Sequence, residues 1–460
     1  MKLPRVLLAA GKSGSGKTLL TCGLLMALKK RGMKVCSFKC GPDYIDPMFH
    51  AKVLGMSSGN LDTYFTNPWR TNLLLGETPD NTDFALLEGV MGYYDGVGGC
   101  SVQASAYDLA RVTDTPVILI VDASGMSLSL AAYVKGFLTY KEDSRIAGVI
   151  LNHMSPSLYP RIKKEVEKVG VPVLGYVPVI PNLHIESRHL GLLLPEEVPS
   201  LLKVLSELAE VLEETVKIDE ILKIARDARP LKRTPSKEDW VMEDEAFGYV
   251  SGRPLRLGLA RDEAFCFIYQ ENLRLLTKMG AKLIPFSPIR DAHLPENLDG
   301  LLLYGGYPEL HAKELSENTS MRKEIKEAIE GGLPCMAECG GFLYLHQEMD
   351  AQEGGSCPMV GVIEGKAYRT SHLKRFGYVS LEAKRPVFGA EDLGFIPAHE
   401  FHYYDSTNAG CDFHSTKPLM GTSWECIHAK GNLLAGFPHF YYYAVPGLAK
   451  AFLTRCEAYR

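Results

Sequence analysis

A glycine-rich loop near the amino terminus constrains the fold of this chain more than any other feature. Residues 11–18 read Gly-Lys-Ser-Gly-Ser-Gly-Lys-Thr, directly after an apolar run at 6–10 and before an amphipathic stretch at 19–31. A Gly-x4-Gly-Lys-Thr loop between a strand and a helix turns backbone N–H groups toward phosphate oxygens, and the helix adds its positive end. The loop therefore predicts a nucleotide triphosphate site on an α/β sheet.

Short apolar runs alternate with helical stretches through the first part of the chain. Runs at 6–10, 34–39, 84–87, 117–121 and 147–151 have the length and branching of buried parallel strands. The stretches 19–31 and 161–169 have helical apolar spacing, and each is followed by a glycine. This alternation predicts an α/β fold with a doubly wound parallel sheet.

A polar segment with prolines then interrupts the pattern, at residues 226–253. Such a segment buries little surface and is typical of a linker. Strand-like runs at 255–260 and 300–304 and a helix-like stretch at 272–279 follow it. We therefore predict a nucleotide-binding domain over 1–225, a linker over 226–253 and a second α/β domain over 254–460.

Composition argues against several functional classes. The 460 residues carry a formal charge of -5 with scattered Lys and Arg, which gives no basic field for nucleic acid. No stretch approaches the roughly 18 apolar residues of a membrane span, and no export signal is apparent. Eleven cysteines, an odd number, then indicate reduced thiols and a cytoplasmic protein. Zinc binding by the C-x3-C pairs Cys36 with Cys40 and Cys335 with Cys339 is disfavoured, because both pairs fall where a strand meets a glycine turn.

The loop supplies most of the predicted nucleotide contacts. The set is Gly11, Lys12, Gly14, Ser15, Gly16, Lys17 and Thr18, with Asn152 added from a later strand end. We expect Lys17 to reach the β and γ phosphates and the Thr18 hydroxyl to ligate Mg²⁺. An extra lysine in the position of Lys12 is typical of P-loop proteins that dimerise over their nucleotides. A solvated surface charge is the alternative for Lys12.

Acidic residues follow two of the predicted strands. Asp43 and Asp46 lie on a proline-containing loop after 34–39, and Glu88 follows the run 84–87. A second metal-binding acid belongs at such a strand end in P-loop enzymes. We therefore predict Thr18, Asp43 and Glu88 as Mg²⁺ ligands and place Asp46 and Asp95 beside the acceptor substrate. An ordinary Gly-Pro-Asp turn is the alternative for the first loop.

A second glycine turn surrounds Cys339. Residues 337–341 read Ala-Glu-Cys-Gly-Gly, which predicts a sharp elbow from a strand into a helix with the thiol at its tip. We expect the helix end to lower the thiol pKa below about 8.5. Backbone N–H groups of Gly340 and of the turn at Gly305 and Gly306 are expected to form an oxyanion hole. An inert core thiol is the alternative.

A nucleophilic thiol needs a base, and three late histidines are candidates. They are His399, His402 and His439, among which spacing does not choose. Metal binding is the alternative for the first two.

Taken together, these strings resemble the cobyrinic acid a,c-diamide synthase family. Beyond the loop and the elbow, the resemblance rests on residues 38–47, 88–96, 188–192, 260–267 and 305–310 and covers nearly the whole chain. It implies an amino-terminal P-loop amidating domain related to dethiobiotin synthetase and a carboxy-terminal class I glutamine amidotransferase domain.

The resemblance also implies residue roles. Cys339 becomes the nucleophile and His439 its general base. The family's second histidine, and the glutamate that many class I amidotransferases carry two residues after the base, are both replaced by Tyr441. The third member of the triad is therefore absent or supplied from elsewhere. Tyr44, Arg188 and His189 are implied as contacts to a tetrapyrrole.

The reaction implied by the resemblance uses ATP, Mg²⁺ and glutamine in cobalamin biosynthesis. A carboxylate of cobyrinic acid becomes an acyl phosphate, and ammonia from glutamine, or free ammonia, displaces the phosphate at the a and c acetate groups. Hydrogenobyrinic acid and nickel sirohydrochlorin are alternative acceptors. A P-loop switch ATPase is an alternative from a different class, and a homodimer is left open.

Overall fold

The computed structural model describes residues 2–180, 187–188, 191–192, 201–232 and 253–460. The chain divides into two compact units, Met1–Thr234 and Pro235–Arg460. Most of the predicted linker, residues 233–252, lies outside the described residues, so its boundaries stay a prediction. Among the described residues, no helix has the length and apolarity that a membrane span requires.

Seven parallel strands form the sheet of the first unit, in the order β3-β2-β4-β1-β5-β6-β7. They are β1 (Arg5–Ala10), β2 (Val35–Cys40), β3 (Ser58–Leu61), β4 (Phe84–Glu88), β5 (Val117–Asp122), β6 (Ile146–Asn152) and β7 (Val173–Val177). A short antiparallel pair follows, β8 (Ser187–Arg188) with β9 (Gly191–Leu192). The crossovers confirm the predicted doubly wound sheet.

In the described part of this unit, eight helices connect these strands or follow them. They are α1 (Lys17–Lys30), α2 (Ile45–Leu54), α3 (Pro68–Leu75), α4 (Ala106–Val112), α5 (Ser129–Thr139), α6 (Tyr159–Glu167), α7 (Leu201–Thr215) and α8 (Ile218–Arg226), with a 3-10 turn at Val97–Gly99. Helices α1 and α7 share one buried core with the sheet. A β-carbon at Gly23 would lie 2.7 Å from Leu208 Cδ2, so this glycine lets the two helices approach closely.

Among the described residues, the second unit has more strands than the first. They are β10 (Leu255–Ala260), β11 (Ala281–Phe286), β12 (Gly300–Leu303), β13 (Cys335–Glu338), β14 (His346–Asp350), β15 (Ser356–Pro358), β16 (Ile363–Arg369), β17 (Arg375–Ala383), β18 (Ile396–His402), β19 (Tyr404–Ser406), β20 (Phe413–Thr416), β21 (Ser423–Cys426), β22 (His428–Lys430), β23 (Leu433–Gly436) and β24 (His439–Phe440). The helices are α9 (Gln270–Lys278), α10 (Ala312–Glu317), α11 (Thr319–Glu330), α12 (Gly340–Tyr344) and α13 (Pro446–Tyr459), with a 3-10 turn at Pro308–His311.

Three sheets organise this unit. The largest runs β11-β10-β12-β13-β23-β22 and is parallel except at its last pair. A second runs β15-β14-β16-β19, and a third runs β21-β20-β17-β18-β24 and is antiparallel throughout. Cys339 follows the carboxyl end of β13. In the third sheet β24 pairs with β18, so that His439 lies opposite His399. The second α/β domain is confirmed, and the antiparallel sheets add to it.

Candidate active sites

The glycine loop of the first unit connects β1 directly to α1. Gly14 and Gly16 have φ values of 75° and 87°, in the left-handed region that favours glycine. A β-carbon at Gly16 would also lie 2.5 Å from Asn152 Nδ2. The Asn152 amide donates to the Ser15 carbonyl at 3.0 Å. Asn152, predicted to bind nucleotide, thus lies against the loop backbone at the end of β6 and supports the loop.

Lys17 lies across this loop. Its Nζ donates to the Met91 carbonyl at 2.6 Å and to the Lys12 carbonyl at 3.3 Å, and the residue is buried. Burial, and then repulsion from Lys39, lowers the pKa of Lys17 to about 8. An incoming phosphate would take the place of the two carbonyl groups that Lys17 Nζ now contacts, and it would give the ammonium a charged partner. Lys17 is therefore positioned to bind an anion over the loop.

Thr18, the residue after Lys17, lies where the acidic residues converge. Thr18 Oγ1 donates to Glu88 Oε1 at 2.5 Å and lies 3.4 Å from Asp46 Oδ2. Lys39, at the end of β2, contacts Glu88 Oε1 at 2.9 Å and forms an ion pair with Asp46. Asp43 Oδ2 lies 4.0 Å from the same ammonium, while Asp43 Oδ1 accepts from the Ile45 N–H at 2.8 Å. The predicted ligands are therefore brought together.

The charges of this cluster are tightly linked. Burial alone would raise the pKa of Glu88, but Lys39 and His50 outweigh it and the net pKa is lowered. Burial, with repulsion from Asp43 and Glu88, raises the pKa of Asp46. Burial would lower the pKa of Lys39, and the carboxylates raise it instead. One buried ammonium thus balances several carboxyl groups, and Glu88 keeps its charge.

The donor atoms in the cluster fit a divalent cation of the magnesium type. A threonine hydroxyl and carboxylate oxygens are hard ligands, and Mg²⁺ typically uses one or two carboxylates together with phosphate oxygens. Among the described residues, no group of three or more His, Cys, Asp or Glu side chains forms a metal site by itself.

The other residues predicted for this unit are Asp95, Tyr44, Lys12, Arg188 and His189. Asp95 Oδ2 accepts from the Gly92 N–H at 2.9 Å. Tyr44 lies at the amino-terminal cap of α2. Lys12 is exposed, and its Nζ lies 3.7 Å from Asp122 Oδ2. The side chain of Arg188 and the whole of His189 lie outside the described residues.

The predicted elbow is present in the second unit. Cys339 lies between β13 and α12 with φ 46° and ψ -103°, a strained conformation for a residue other than glycine. A β-carbon at Gly341 would lie 1.9 Å from the Leu303 carbonyl oxygen, so only glycine allows this close approach to β12. A sharp strand-to-helix elbow of this kind is the geometry in which a nucleophile is presented at the end of a strand.

The glycine turn after β12 packs against the elbow. A β-carbon at Gly340 would lie 3.0 Å from the Gly306 backbone nitrogen, and the Gly340 N–H hydrogen-bonds Cys339. The three glycines predicted for the oxyanion hole therefore lie side by side. Their function as donors stays a prediction.

His439 is the histidine that the fold brings to this turn. A β-carbon at Gly305 would lie 2.6 Å from His439 Cε1 and 3.5 Å from Cys339 Cβ, so these two atoms are at most about 6 Å apart. That separation suits proton transfer between a thiol and an imidazole. His402 is instead held by the Tyr404 carbonyl, 2.6 Å from Nδ1, and its ring stacks on Phe437 at 3.9 Å.

The expected lowering of the Cys339 pKa is wrong. Burial, followed by Glu309, raises the pKa of this thiol, and the Gly340 N–H offsets the shift only in part. Burial, and then His402, lowers the pKa of His439 to about 3. The resting site therefore holds a neutral thiol and a neutral imidazole.

Sequence reasoning missed three buried ionisable residues. Lys39 and His50 contact Glu88 in the first unit, with His50 Nε2 3.4 Å from Glu88 Oε2. Glu338 precedes the elbow, and its Oε2 lies 3.7 Å from His439 Nδ1. Lys39 is the penultimate residue of β2, and Glu338 is the last residue of β13. Both strands are otherwise largely buried, and a charged residue in such a strand is a signal that could have identified them.

Known protein families match both the amino-terminal and the carboxy-terminal parts of the chain. The profile described as a CobQ/CobB/MinD/ParA nucleotide binding domain matches residues 6–192. The profile of a CobB/CobQ-like glutamine amidotransferase domain matches residues 256–444. The cobyrinate a,c-diamide synthase of Caldanaerobacter subterraneus subsp. tengcongensis is 38% identical over 99% of both chains. That of Listeria innocua is 38% identical over 96% of this chain and 97% of the relative. That of Thermoplasma volcanium is 36% identical over 100% and 98%.

Proposed function

The chain belongs to the cobyrinate a,c-diamide synthase family, and from that premise we propose its reaction and the residues that perform it. It is a carbon–nitrogen ligase that amidates the a and c carboxylates of cobyrinic acid, with ATP for activation and glutamine as the nitrogen source. The observation that carries the proposal is that one chain holds both a phosphate-binding loop with a carboxylate cluster and a cysteine elbow with a histidine.

Ammonia is produced at Cys339. As its sulfur attacks the glutamine amide carbonyl, His439 takes the thiol proton and then gives it to the departing ammonia. This leaves a γ-glutamyl thioester, which water hydrolyses to glutamate and the free thiol. The N–H groups of Gly306 and Gly340 face the developing oxyanion. Because the thiol and the imidazole rest in their neutral forms, the charged pair forms only as the bond to carbon forms.

The acceptor is activated at the glycine loop. A carboxylate oxygen of the tetrapyrrole attacks the γ phosphorus of ATP, ADP leaves, and an acyl phosphate results. Ammonia attacks the carbonyl carbon of the acyl phosphate, and phosphate departs. The attacking nitrogen loses one proton, which gives the primary amide. Lys17 neutralises charge on the phosphates during transfer. Two such rounds would convert the a and c acetate groups.

Thr18, Glu88 and Asp43 would hold Mg²⁺ in this site. The ion supplies charge neutralisation and alignment of the phosphate oxygens when it is bound. Lys39 keeps the carboxyl groups close together, and His50 lies 3.4 Å from Glu88 Oε2, whereas Thr18 contacts Glu88 Oε1. Cluster geometry is therefore fixed by this chain's own residues.

The acceptor is proposed to lie beside Asp46, Asp95 and Tyr44, with Arg188 and His189 as further contacts. Asp46 supports this placement because it reaches the Thr18 hydroxyl from α2. A cationic side chain such as Arg188 would suit a polycarboxylate. The cytoplasm is the proposed location, and a homodimer remains part of the proposal through the exposed Lys12.

Amidation assays with purified protein test this function. Each of three acceptors, cobyrinic acid, hydrogenobyrinic acid and nickel sirohydrochlorin, is incubated with MgATP and either glutamine or ammonium, and the amides are counted by mass spectrometry. We expect the diamide of cobyrinic acid with both nitrogen donors. Amide formation only on another acceptor would reassign the substrate. ATP hydrolysis coupled to dimerisation, with no amide on any acceptor, would favour a P-loop switch.

A further inference from the structure

We propose that Glu338 is the positioning residue for His439, in place of the glutamate that many class I amidotransferases carry two residues after the histidine. This inference rests on the proposed glutaminase function of Cys339. The position two residues after His439 is Tyr441, a buried side chain that packs edge-on against Tyr269, the residue before α9, at 5.1 Å. A carboxylate that orients His439 is therefore not supplied by the residue two positions after the histidine.

Glu338 reaches His439 from the opposite element. It is the last residue of β13, directly before the elbow, and its Oε2 lies 3.7 Å from His439 Nδ1. The same oxygen accepts from the Phe440 N–H at 3.3 Å. One carboxyl group thus contacts both the imidazole and the backbone that follows it, so it fixes the position of β24 relative to the elbow.

The carboxyl group has hydrogen-bonding capacity to spare. Glu338 is 2% exposed, and its Oε1 has no hydrogen-bond partner among the described residues. Burial raises the pKa of Glu338 well above its ordinary value and lowers that of His439. Each charge is unfavourable alone, and each is stabilised when the other is present. A protonated His439 is therefore favoured while Glu338 is ionised.

This arrangement has a direct chemical use. His439 can accept the thiol proton at Nε2 only when its own hydrogen is on Nδ1, and a carboxylate beside Nδ1 selects that tautomer. The present separation is slightly longer than a hydrogen bond, and such contacts commonly shorten when substrate binds. Titratable groups near His439 include Cys339, His399 and His402. In the proposed reaction, the thiol of Cys339 is the group that gives its proton to His439.

The test separates positioning from folding by comparing two nitrogen donors. In Glu338→Gln we expect the glutamine-dependent kcat to fall about 10²-fold to 10³-fold, with little change in the KM for glutamine and none in ammonia-dependent amidation. The acidic limb of kcat/KM should move to lower pH, because the imidazolium loses its counter-charge. Glu338→Asp should give an intermediate rate, since it keeps the charge on a shorter side chain.

Glu400→Gln is the matched comparison. Glu400 is equally buried on β18, but its Oε2 lies 4.0 Å from His402. A selective loss of glutamine use in Glu400→Gln and not in Glu338→Gln would overturn the proposal in favour of His402. Unchanged glutamine use in Glu338→Gln, or an equal loss with both donors together with a lower melting temperature, would also overturn it. A wild-type protein that makes no amide with either donor would instead refute the proposed function.

Discussion

Gly305 offers a sharp steric test of the Cys339 site. No left-handed φ is needed at this position, so alanine is compatible with the backbone. Its β-carbon would however lie 2.6 Å from His439 Cε1, whereas carbon atoms in contact are about 3.5 to 4.0 Å apart. In Gly305→Ala the imidazole must therefore move by about 1 Å, and a misplacement of that size costs on the order of 10²-fold in rate.

The assay compares glutamine with ammonium as the nitrogen donor. We expect Gly305→Ala to lose about 10²-fold in glutamine-dependent kcat, about 2.7 kcal/mol of transition-state stabilisation, and to keep ammonia-dependent amidation. Gly447→Ala is the matched control, because its β-carbon meets Leu393 Cδ2 at an ordinary 3.4 Å. If Gly305→Ala used glutamine as fast as Gly447→Ala, the placement of His439 beside the elbow would be refuted.

Three further predictions concern the loop, the acid cluster and the fold of the elbow. Glu88→Gln should slow amidation with both donors on the order of 10²-fold while glutamine hydrolysis persists, and loss of hydrolysis alone would contradict the assigned role. The affinity for MgATP, measured by calorimetric titration, should fall as pH rises through about 8. The reason is that the pKa of Lys17 is lowered to about 8, so its ammonium charge is lost above that pH. The variant Lys17→Met should bind MgATP weakly and without this pH dependence. Gly341→Ala should destabilise the protein by about 3 kcal/mol in denaturant unfolding, since its β-carbon would meet the Leu303 carbonyl oxygen at 1.9 Å, and unchanged stability would contradict the elbow geometry.

The local features of the fold could be predicted from the sequence. The strand, glycine loop and helix around Lys17 carry their signals within a few consecutive residues, and β1 and α1 occur as expected. The stretch expected at 272–279 is α9 at Gln270–Lys278, a difference of one or two residues. Apolar spacing and glycine stops suffice for such elements because they form mainly through local contacts.

The antiparallel sheets of the second unit could not be predicted in the same way. Strands such as β19 and β21 have three or four residues, too few to show a clear alternation. The pairing of β18 with β24 sets His399 opposite His439 across a long stretch of sequence. The choice of His439 among three histidines therefore came from family resemblance, and the structure adds its proximity to Gly305.

The electrostatics of the site depend on contacts that no sequence pattern reveals. The pKa of Cys339 was expected to fall because a helix follows it, and it rises because folding buries the thiol near Glu309. Likewise, the sequence assigns no function to Lys39 within the string 38–47, and folding places its ammonium group beside the carboxyl groups of Asp43, Asp46 and Glu88. Burial and long-range pairing determine both the pKa of Cys339 and the contacts of Lys39. Neither burial nor long-range pairing can be read from neighbouring residues in the sequence.

Nitrogen tracing tests the central claim most directly, namely that Cys339 supplies the ammonia used in amidation at the loop. Wild-type protein and Cys339→Ala are each given cobyrinic acid, MgATP and either amide-¹⁵N glutamine or ¹⁵N ammonium, and the diamide is analysed by mass spectrometry. We expect the wild type to incorporate label from both donors and Cys339→Ala to incorporate it from ammonium only. Label from glutamine in Cys339→Ala at the wild-type rate would contradict the account.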